Sequence, residues 1–411
     1  MCKPSHAFLL SILFVCLASA ESEPVNGPIP LLERRVADNP GDVYAWNRLA
    51  GLYLERLRGT GDLSDLPRAR HAAETSVEQV PPRFNAAGLL ARGQVELASH
   101  RFTEARATAL EYREWKPEAS AGWQLLGDAE FELGQYAEAA KAVSEIVRID
   151  EQPTVTSETR LAKLDWIHGR RESSRSHLEA TLKLAQAPDL SIPSAVAWCM
   201  VQLGELAFSE GDFASAEKQY TAALGLLPAW FPAQEHMAEL LGALGRYDEA
   251  ITAYHTLLAR VDRPELCQAL GDLYVLAKQP AEARSWHERA AKTYRESVAA
   301  GEILFLHHGA GFFVDSLPEP ATALAWATKD MEGRQSVQAW DALAWAQEAS
   351  GDVNAAAVSI KKALATGIQD SHIQYHAGMI LISSGDVAGG KAALKHCVEI
   401  NPRYQTFHVH R

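Results

Sequence analysis

Apolar residues recur along most of the chain at the spacing of three and four that is typical of amphipathic helices. Each helical segment also carries a small residue at the same place, and these ten positions are Ala50, Gly93, Gly127, Ala162, Gly204, Ala238, Gly271, Gly311, Ala344 and Gly378. Most successive positions lie 33 to 35 residues apart, and three steps are longer. Because one short helix pair cannot bury its apolar face alone, this repeat predicts an all-α solenoid of stacked pairs.

Each copy contains two helical segments separated by a turn. A glycine, which ends a helix easily in the left-handed conformation, stands in the turn at Gly134, Gly211, Gly245, Gly351 and Gly385. A proline stands ten residues before the next small position at Pro40, Pro117 and Pro228. Proline cannot continue a helix, so it separates one repeat from the next.

The clearest copy reads Trp123, Leu126 and Gly127, then Gly134, Tyr136 and Ala139, and the copies from Met200 and Gln234 follow the same order. This order resembles the pattern W-x2-L-G-x2-Y, G-x-Y, A-x3-F-x2-A and P of the tetratricopeptide repeat (TPR) family. The resemblance covers about residues 42–402. It implies a right-handed superhelical solenoid of about ten TPR helix-turn-helix repeats.

The longer steps indicate insertions near residues 56–67, 185–194 and 293–303. The first contains Gly and Asp and is predicted to be a loop. A loop and an extended helix both fit the other two. Residues 293–315 therefore form either a regular repeat or a specialised docking element. Residues 31–39 are predicted to form a single lead helix that covers the start of the solenoid.

The N-terminus is typical of a secretory signal peptide. Lys3 precedes an apolar stretch over residues 7–17, and Ala18, Ser19 and Ala20 form a small-residue cleavage site. The apolar run is shorter than the roughly 20 residues that span a bilayer, although an uncleaved anchor is the alternative. We therefore predict a signal at 1–20, an N-terminal segment with the lead helix at 21–41, the solenoid at 42–402 and a tail at 403–411. The protein is expected to be exported, to the periplasm or the extracellular space.

Composition narrows the function. The formal net charge is −13, which disfavours a basic nucleic-acid surface. Beyond the signal, Cys199, Cys267 and Cys397 are an odd number without a CxxC motif, and we expect them to be small core residues. The sequence has no phosphate-binding loop, HExxH, GxSxG or GxGxxG motif. We predict a protein that is not an enzyme and needs no cofactor.

The family resemblance implies that the first helix of each repeat lines a concave groove that holds a peptide or a partner helix. Counting from the small residues, the candidate groove positions are Asp128, Phe131, Trp166, Trp198, Glu205, Phe208, Glu235, Glu239, Asp272, Phe305, His308, Phe312, Trp345 and Tyr375. The middle of this set is acidic and its C-terminal part is aromatic, which favours a protein or peptide partner with basic and apolar groups. The alternatives are aromatic residues that pack between neighbouring helices and acidic residues that form a solvated face.

His372 and His376 are four residues apart on one predicted helix face, a spacing that can chelate a metal. No Cys or carboxylate completes the set at local spacing, so surface or capping histidines are the simpler interpretation. The sequence thus favours an exported scaffold or adaptor, by analogy one in envelope complex assembly. A transition-metal-binding protein and a docking subunit of an enzyme complex are the alternatives.

Overall fold

The computed structural model describes residues 27–188 and 191–408, and these residues form 21 α-helices, one short 3-10 turn and no strand. A single helix, α1 (Ile29–Asp38), comes first. The helices that follow form ten consecutive pairs: α2 (Val43–Thr60) and α3 (Asp65–Gln79), α4 (Ala86–Ala98) and α5 (Phe102–Trp115), α6 (Ser120–Glu132) and α7 (Tyr136–Asp150), α8 (Val155–Ile167) and α9 (Arg171–Ala185), α10 (Pro193–Ser209) and α11 (Phe213–Leu226), α12 (Phe231–Ala243) and α13 (Tyr247–Leu258), α14 (Pro264–Leu276) and α15 (Pro280–Ala299), α16 (Leu306–Asp315) and α17 (Pro320–Gly333), α18 (Val337–Ala349) and α19 (Val353–Leu364), α20 (Ser371–Ser383) and α21 (Val387–Ile400).

The ten pairs are the ten predicted repeats, and α1 is the predicted lead helix. Two of the longer steps are explained by longer helices. The prediction of a loop over residues 56–67 is wrong at both ends, because α2 continues to Thr60, α3 begins at Asp65 and only residues 61–64 connect them. The step near residue 300 is due mainly to α15, which has 20 residues. The following helix, α16, pairs with α17 as in a regular repeat.

The small residues let the two helices of a pair approach closely. A Cβ added at Gly204 would lie 2.3 Å from the Tyr220 ring, and one at Gly271 would lie 2.0 Å from the His287 ring. The predicted turn glycines all have positive φ, from 72° at Gly134 to 94° at Gly385. The sequence pattern thus explains both the packing within a pair and the end of its first helix.

The second half of the solenoid lies against its first half, because Gly134 meets Gln335 and Gly169 meets Gly367. We call residues 29–226 the first coil, residues 231–408 the second coil, and the line of contact between them the seam. At the seam, five short segments of the first coil each meet one segment of the second coil. The pairs are residues 59–63 with 230–231, 99–102 with 302–305, 132–136 with 334–337, 168–170 with 366–369, and 211–213 with 401–403.

Hydrogen bonds cross the seam at several places. The backbone N–H of Gln335 donates to the carbonyl of Glu132 at 3.0 Å, and the N–H of Val337 donates to the Tyr136 hydroxyl at 2.8 Å. The His168 ring nitrogen Nδ1 lies 3.2 Å from the Thr366 carbonyl oxygen. One apolar cluster also continues across both coils, from α6–α10 to α18–α21. The two coils therefore share a core.

Within the described ranges, no helix is both long and apolar enough to cross a membrane. The predicted signal, residues 1–20, lies outside these ranges.

Candidate functional site

The structure places the predicted groove residues inside the molecule. Twelve of the fourteen are buried, namely Asp128, Phe131, Trp166, Trp198, Glu205, Phe208, Glu235, Glu239, Phe305, Phe312, Trp345 and Tyr375. Asp272 and His308 are half-buried. All fourteen positions lie on or next to first helices, and the helices around them bury or half-bury their side chains. Whether any of them contacts a partner stays a prediction.

The aromatic residues pack against neighbouring helices, so they are not the exposed anchors that a groove would offer. The ring of Phe312 lies 5.4 Å from the ring of Tyr294 and 5.9 Å from that of His287, both on α15, centroid to centroid. Trp345 is stacked at 4.0 Å on the imidazole of His376. This is the alternative of packing between neighbouring helices, and it makes Phe312 and Trp345 core residues.

The acidic residues in the middle of the set are buried and paired, so they do not form a solvated face. His236 Nε2 lies 2.6 Å from a carboxylate oxygen of Glu205, and its Nδ1 lies 3.4 Å from one of Glu239. Burial lowers the pKa of His236, but the charges and hydrogen bonds of Glu205 and Glu239 outweigh it and hold this pKa well above its ordinary value. His236 is therefore an imidazolium held between two carboxylates.

Further ion pairs line the same interior. Nη2 of Arg160 lies 2.5 Å from a carboxylate oxygen of Asp128, and both side chains are buried. Glu132 is 3.0 Å from Lys163 and 3.6 Å from Arg334. Burial raises the pKa of Glu132, but the two cations outweigh it and leave this pKa below its ordinary value.

The sequence did not reveal these pairs, because partners such as Lys163 and Arg334 stand in different repeats from Glu132. His236 was the available signal, since it stands next to Glu235 and three residues before Glu239 on one helix.

The C-terminal segment lies on the inner side of α10–α13. The ring of Phe407 is buried 6.4 Å from the ring of Tyr254, and a Cβ added at Gly242 would lie 2.3 Å from it. His408 pairs with the Glu239 carboxylate, and its ring meets that of Phe208 at 4.9 Å. The sequence predicted only a tail here, yet this segment fills the inner face at the most acidic repeats.

The two candidate metal ligands are also brought together, with a third. His372 and His376 lie on α20, and Nδ1 of His376 lies 3.0 Å from a carboxylate oxygen of Asp341 on α18. Each of the three side chains is buried. The sequence shows no carboxylate at local spacing from the two histidines, because the carboxylate that joins them, Asp341, belongs to the preceding repeat.

The three cysteines are buried thiols, as predicted. Burial raises the pKa of Cys199 and of Cys397 to about 12 and that of Cys267 to about 11. Such thiols stay protonated and are poor nucleophiles, which agrees with a structural role.

Comparison with known proteins agrees with the repeat architecture. One model described as "Tetratricopeptide repeat" matches residues 90–153 and 237–298, and a second of the same description matches residues 371–404. No curated protein matches the chain.

Solved structures also match this chain, among them the following three. "Crystal structure of APC/C hetero-tetramer Cut9-Hcn1" is 14% identical over 92% of this chain and 90% of that one, with a TM-score of 0.39. "Human IFIT1 dimer with PPP-AAAA" is 12% identical over 92% of this chain and 85% of that one, with a TM-score of 0.45. An IFIT1 monomeric mutant with m7Gppp-AAAA is 12% identical over 86% of this chain and 80% of that one, also with a TM-score of 0.45.

These likenesses are too remote to carry an argument about function. The repeats themselves, in ten helix pairs and in the matches to the family models, are decisive: this chain belongs to the tetratricopeptide repeat family.

Proposed function

We propose that this protein is a non-enzymatic scaffold that holds an extended segment of a partner protein against its inner helices. Tetratricopeptide repeats support a role in protein–protein interaction in general. The observation that supports the finer proposal is the position of the protein's own C-terminal segment. This segment is not helical where it lies on α10–α13, and two successive side chains, the aromatic Phe407 and the basic His408, contact these helices.

The chemistry of this surface suits a partner segment with basic and apolar groups. Glu205 and Glu239 are both buried there, and His236 lies between their carboxylates. His408 is a second basic side chain on Glu239, so this surface already accepts a basic group from an extended segment. Beside it, Gly242 lacks a side chain and leaves space for an aromatic ring. A partner segment with an aromatic residue followed by a basic one would make the same contacts.

The protein's own segment and the partner segment would then compete. The seam closes the inner face elsewhere, because backbone hydrogen bonds and a shared core join the two coils. A partner would gain access to this surface by displacing residues 403–408.

We also propose that the protein is exported and that its partner belongs to an envelope complex. This part rests on Lys3, the apolar stretch over residues 7–17 and the Ala18-Ser19-Ala20 site. N-terminal sequencing of the protein from its native cells is expected to begin at Glu21. A sequence that begins at Met1 would instead favour the uncleaved anchor.

A peptide-binding assay tests the inner surface directly. A chain that ends at Pro402 is titrated against a labelled peptide of residues 402–411, with fluorescence anisotropy as the readout. We expect saturable binding that Glu239→Gln weakens about tenfold or more, because a hydrogen bond to a charged group contributes about 1.5–3 kcal/mol. The matched control is Glu249→Gln, an exposed carboxylate on α13, which should bind as before.

Circular dichroism must first show that each shortened chain remains helical. Absence of saturable binding, or equal affinity in Glu239→Gln and Glu249→Gln, would contradict the proposed surface.

Crosslinking in the native cells then identifies the partner. The shortened chain should capture it more efficiently than the full chain, and the peptide of residues 402–411 should compete. Capture that is independent of both would place the partner on the outer face. If a captured protein is an enzyme whose activity changes on binding, the scaffold is a docking subunit of that enzyme.

A further inference from the structure

Three side chains that can bind a metal converge inside the last two repeats. Asp341 lies on α18, and His372 and His376 lie on α20. Their potential ligand atoms, one from each side chain, all lie within 4.8 Å of one another. Two imidazoles and a carboxylate are typical donors for zinc and related divalent ions, which take three protein ligands when a fourth position stays open. The three groups are thus of suitable type and close to the spacing that a metal requires.

His376 supplies a second observation. Its Nδ1 lies 3.0 Å and 3.1 Å from the two carboxylate oxygens of Asp341. Two donor atoms at this separation are about as far apart as neighbouring ligands of one four-coordinate ion, whose bonds to nitrogen and oxygen are about 2.0–2.2 Å long. An ion bound between Nδ1 of His376 and the Asp341 carboxylate would take the place of this hydrogen bond, with His372 as the third ligand.

The surroundings hold two of the three ligands in place. Trp345 is stacked on the His376 ring with an angle of 15° between the planes, which fixes the orientation of that ring. The buried carboxylate of Asp370 accepts hydrogen bonds from the backbone N–H groups of His372 and Ile373, and so fixes the end of α20 that carries His372.

We propose that Asp341, His372 and His376 bind one divalent transition-metal ion of the zinc class. The ion joins α18 to α20 and so holds the last two repeats together. This site is separate from the partner surface on α10–α13, and it does not depend on the proposed scaffold function.

Isothermal titration with zinc chloride tests the site on full-length protein that has been unfolded with chelator and then refolded. Because the three side chains are buried, zinc is also added during refolding, so that a closed interior does not prevent loading. We expect one zinc ion per chain. His372→Asn and Asp341→Asn should each lower the affinity more than 100-fold, beyond the roughly 10–100-fold loss typical of groups outside the ligand set.

His287→Asn is the matched control. His287 is also buried, and its Nε2 lies 2.9 Å from a carboxylate oxygen of Asp272, but this pair is not part of the three-residue cluster. This variant should bind zinc as the wild type does. Zinc should also raise the melting temperature of the wild type and of His287→Asn, and leave that of His372→Asn unchanged.

Cobalt provides a readout that does not depend on how well a variant folds. Cobalt bound to the wild type should show the intense visible absorption of a four-coordinate site. Weak absorption, the absence of a saturable site with one ion per chain, or equal zinc affinity in wild type and folded His372→Asn would each overturn the proposal.

Discussion

The two turn glycines Gly134 and Gly245 differ in only one respect that matters for stability. Both occupy the turn within a repeat, with φ of 72° and 76°. A Cβ added at Gly245 would meet nothing within 4 Å, whereas one at Gly134 would lie 2.2 Å from the carbonyl oxygen of Gln335 across the seam. Alanine at either position has the same backbone strain, so the difference between the two variants isolates the seam.

The expected magnitudes follow from these contacts. Alanine in the left-handed region costs about 1–2 kcal/mol, so Gly245→Ala should lower the free energy of unfolding by about that amount. In Gly134→Ala the Gln335 backbone must also move. That overpacking costs about 1–3 kcal/mol, and it weakens the Gln335–Glu132 and Val337–Tyr136 hydrogen bonds, at about 0.5–1.5 kcal/mol each. We expect Gly134→Ala to be less stable than Gly245→Ala by about 2–6 kcal/mol.

Urea unfolding measures the difference in stability, and hydrogen exchange followed by mass spectrometry locates it. Peptides covering residues 132–137 and 334–338 should exchange faster in Gly134→Ala and not in Gly245→Ala. Because repeat proteins can unfold in stages, the local exchange data take precedence over a single fitted free energy. Equal stability and equal exchange in the two variants would refute the contact between the coils.

Three further predictions concern the buried residues. Because the pKa of His236 is raised, its ion pair stabilises the fold fully below about pH 6.5, and this contribution is lost as pH rises through the pKa in the folded protein. The urea midpoints of wild type and His236→Gln should therefore converge as pH increases, and a constant difference would contradict the ion pair. Phe312→Ala should destabilise by about 3–5 kcal/mol in thermal melts because its side chain is fully buried, whereas Phe84→Ala, at an exposed ring, should change stability by less than about 0.5 kcal/mol. Asp128→Asn should destabilise the protein by about 3 kcal/mol because it removes the charge beside buried Arg160. Asp262→Asn, at an exposed carboxylate, is the control, and equal urea midpoints for the two variants would argue against the buried pair.

The local structure of the repeats could be predicted because its causes lie within one repeat. Small residues at a fixed place in each repeat, such as Gly204 and Gly271, indicate a closely packed helix pair, and a glycine such as Gly134 indicates the turn between the two helices. The extent of α2 could not be predicted, because Gly59 and Gly61 suggest a loop while packing keeps the helix intact to Thr60. Helix propensity is a weak guide where tertiary contacts compensate.

The interior of the molecule was harder to predict. Trp345 and Glu239 stand on the first helices of their repeats, and their burial depends on how tightly the superhelix winds. That property arises from small rotations added over many repeats, and no single residue encodes it. The third member of the metal cluster was missed for a related reason: Asp341 precedes His376 by one repeat, so only a comparison across repeats could have paired them.

The seam makes this solenoid unlike a simple linear array. In most repeat proteins each unit contacts only its neighbours, so evolution can add or delete a unit with little effect on the others. Here Gly134 meets Gln335, and Gly169 meets Gly367, because a fixed length of chain separates them. Deletion of one repeat between these partners would shift every such pairing by about 34 residues at once. The chain should therefore tolerate substitutions far better than the gain or loss of a unit.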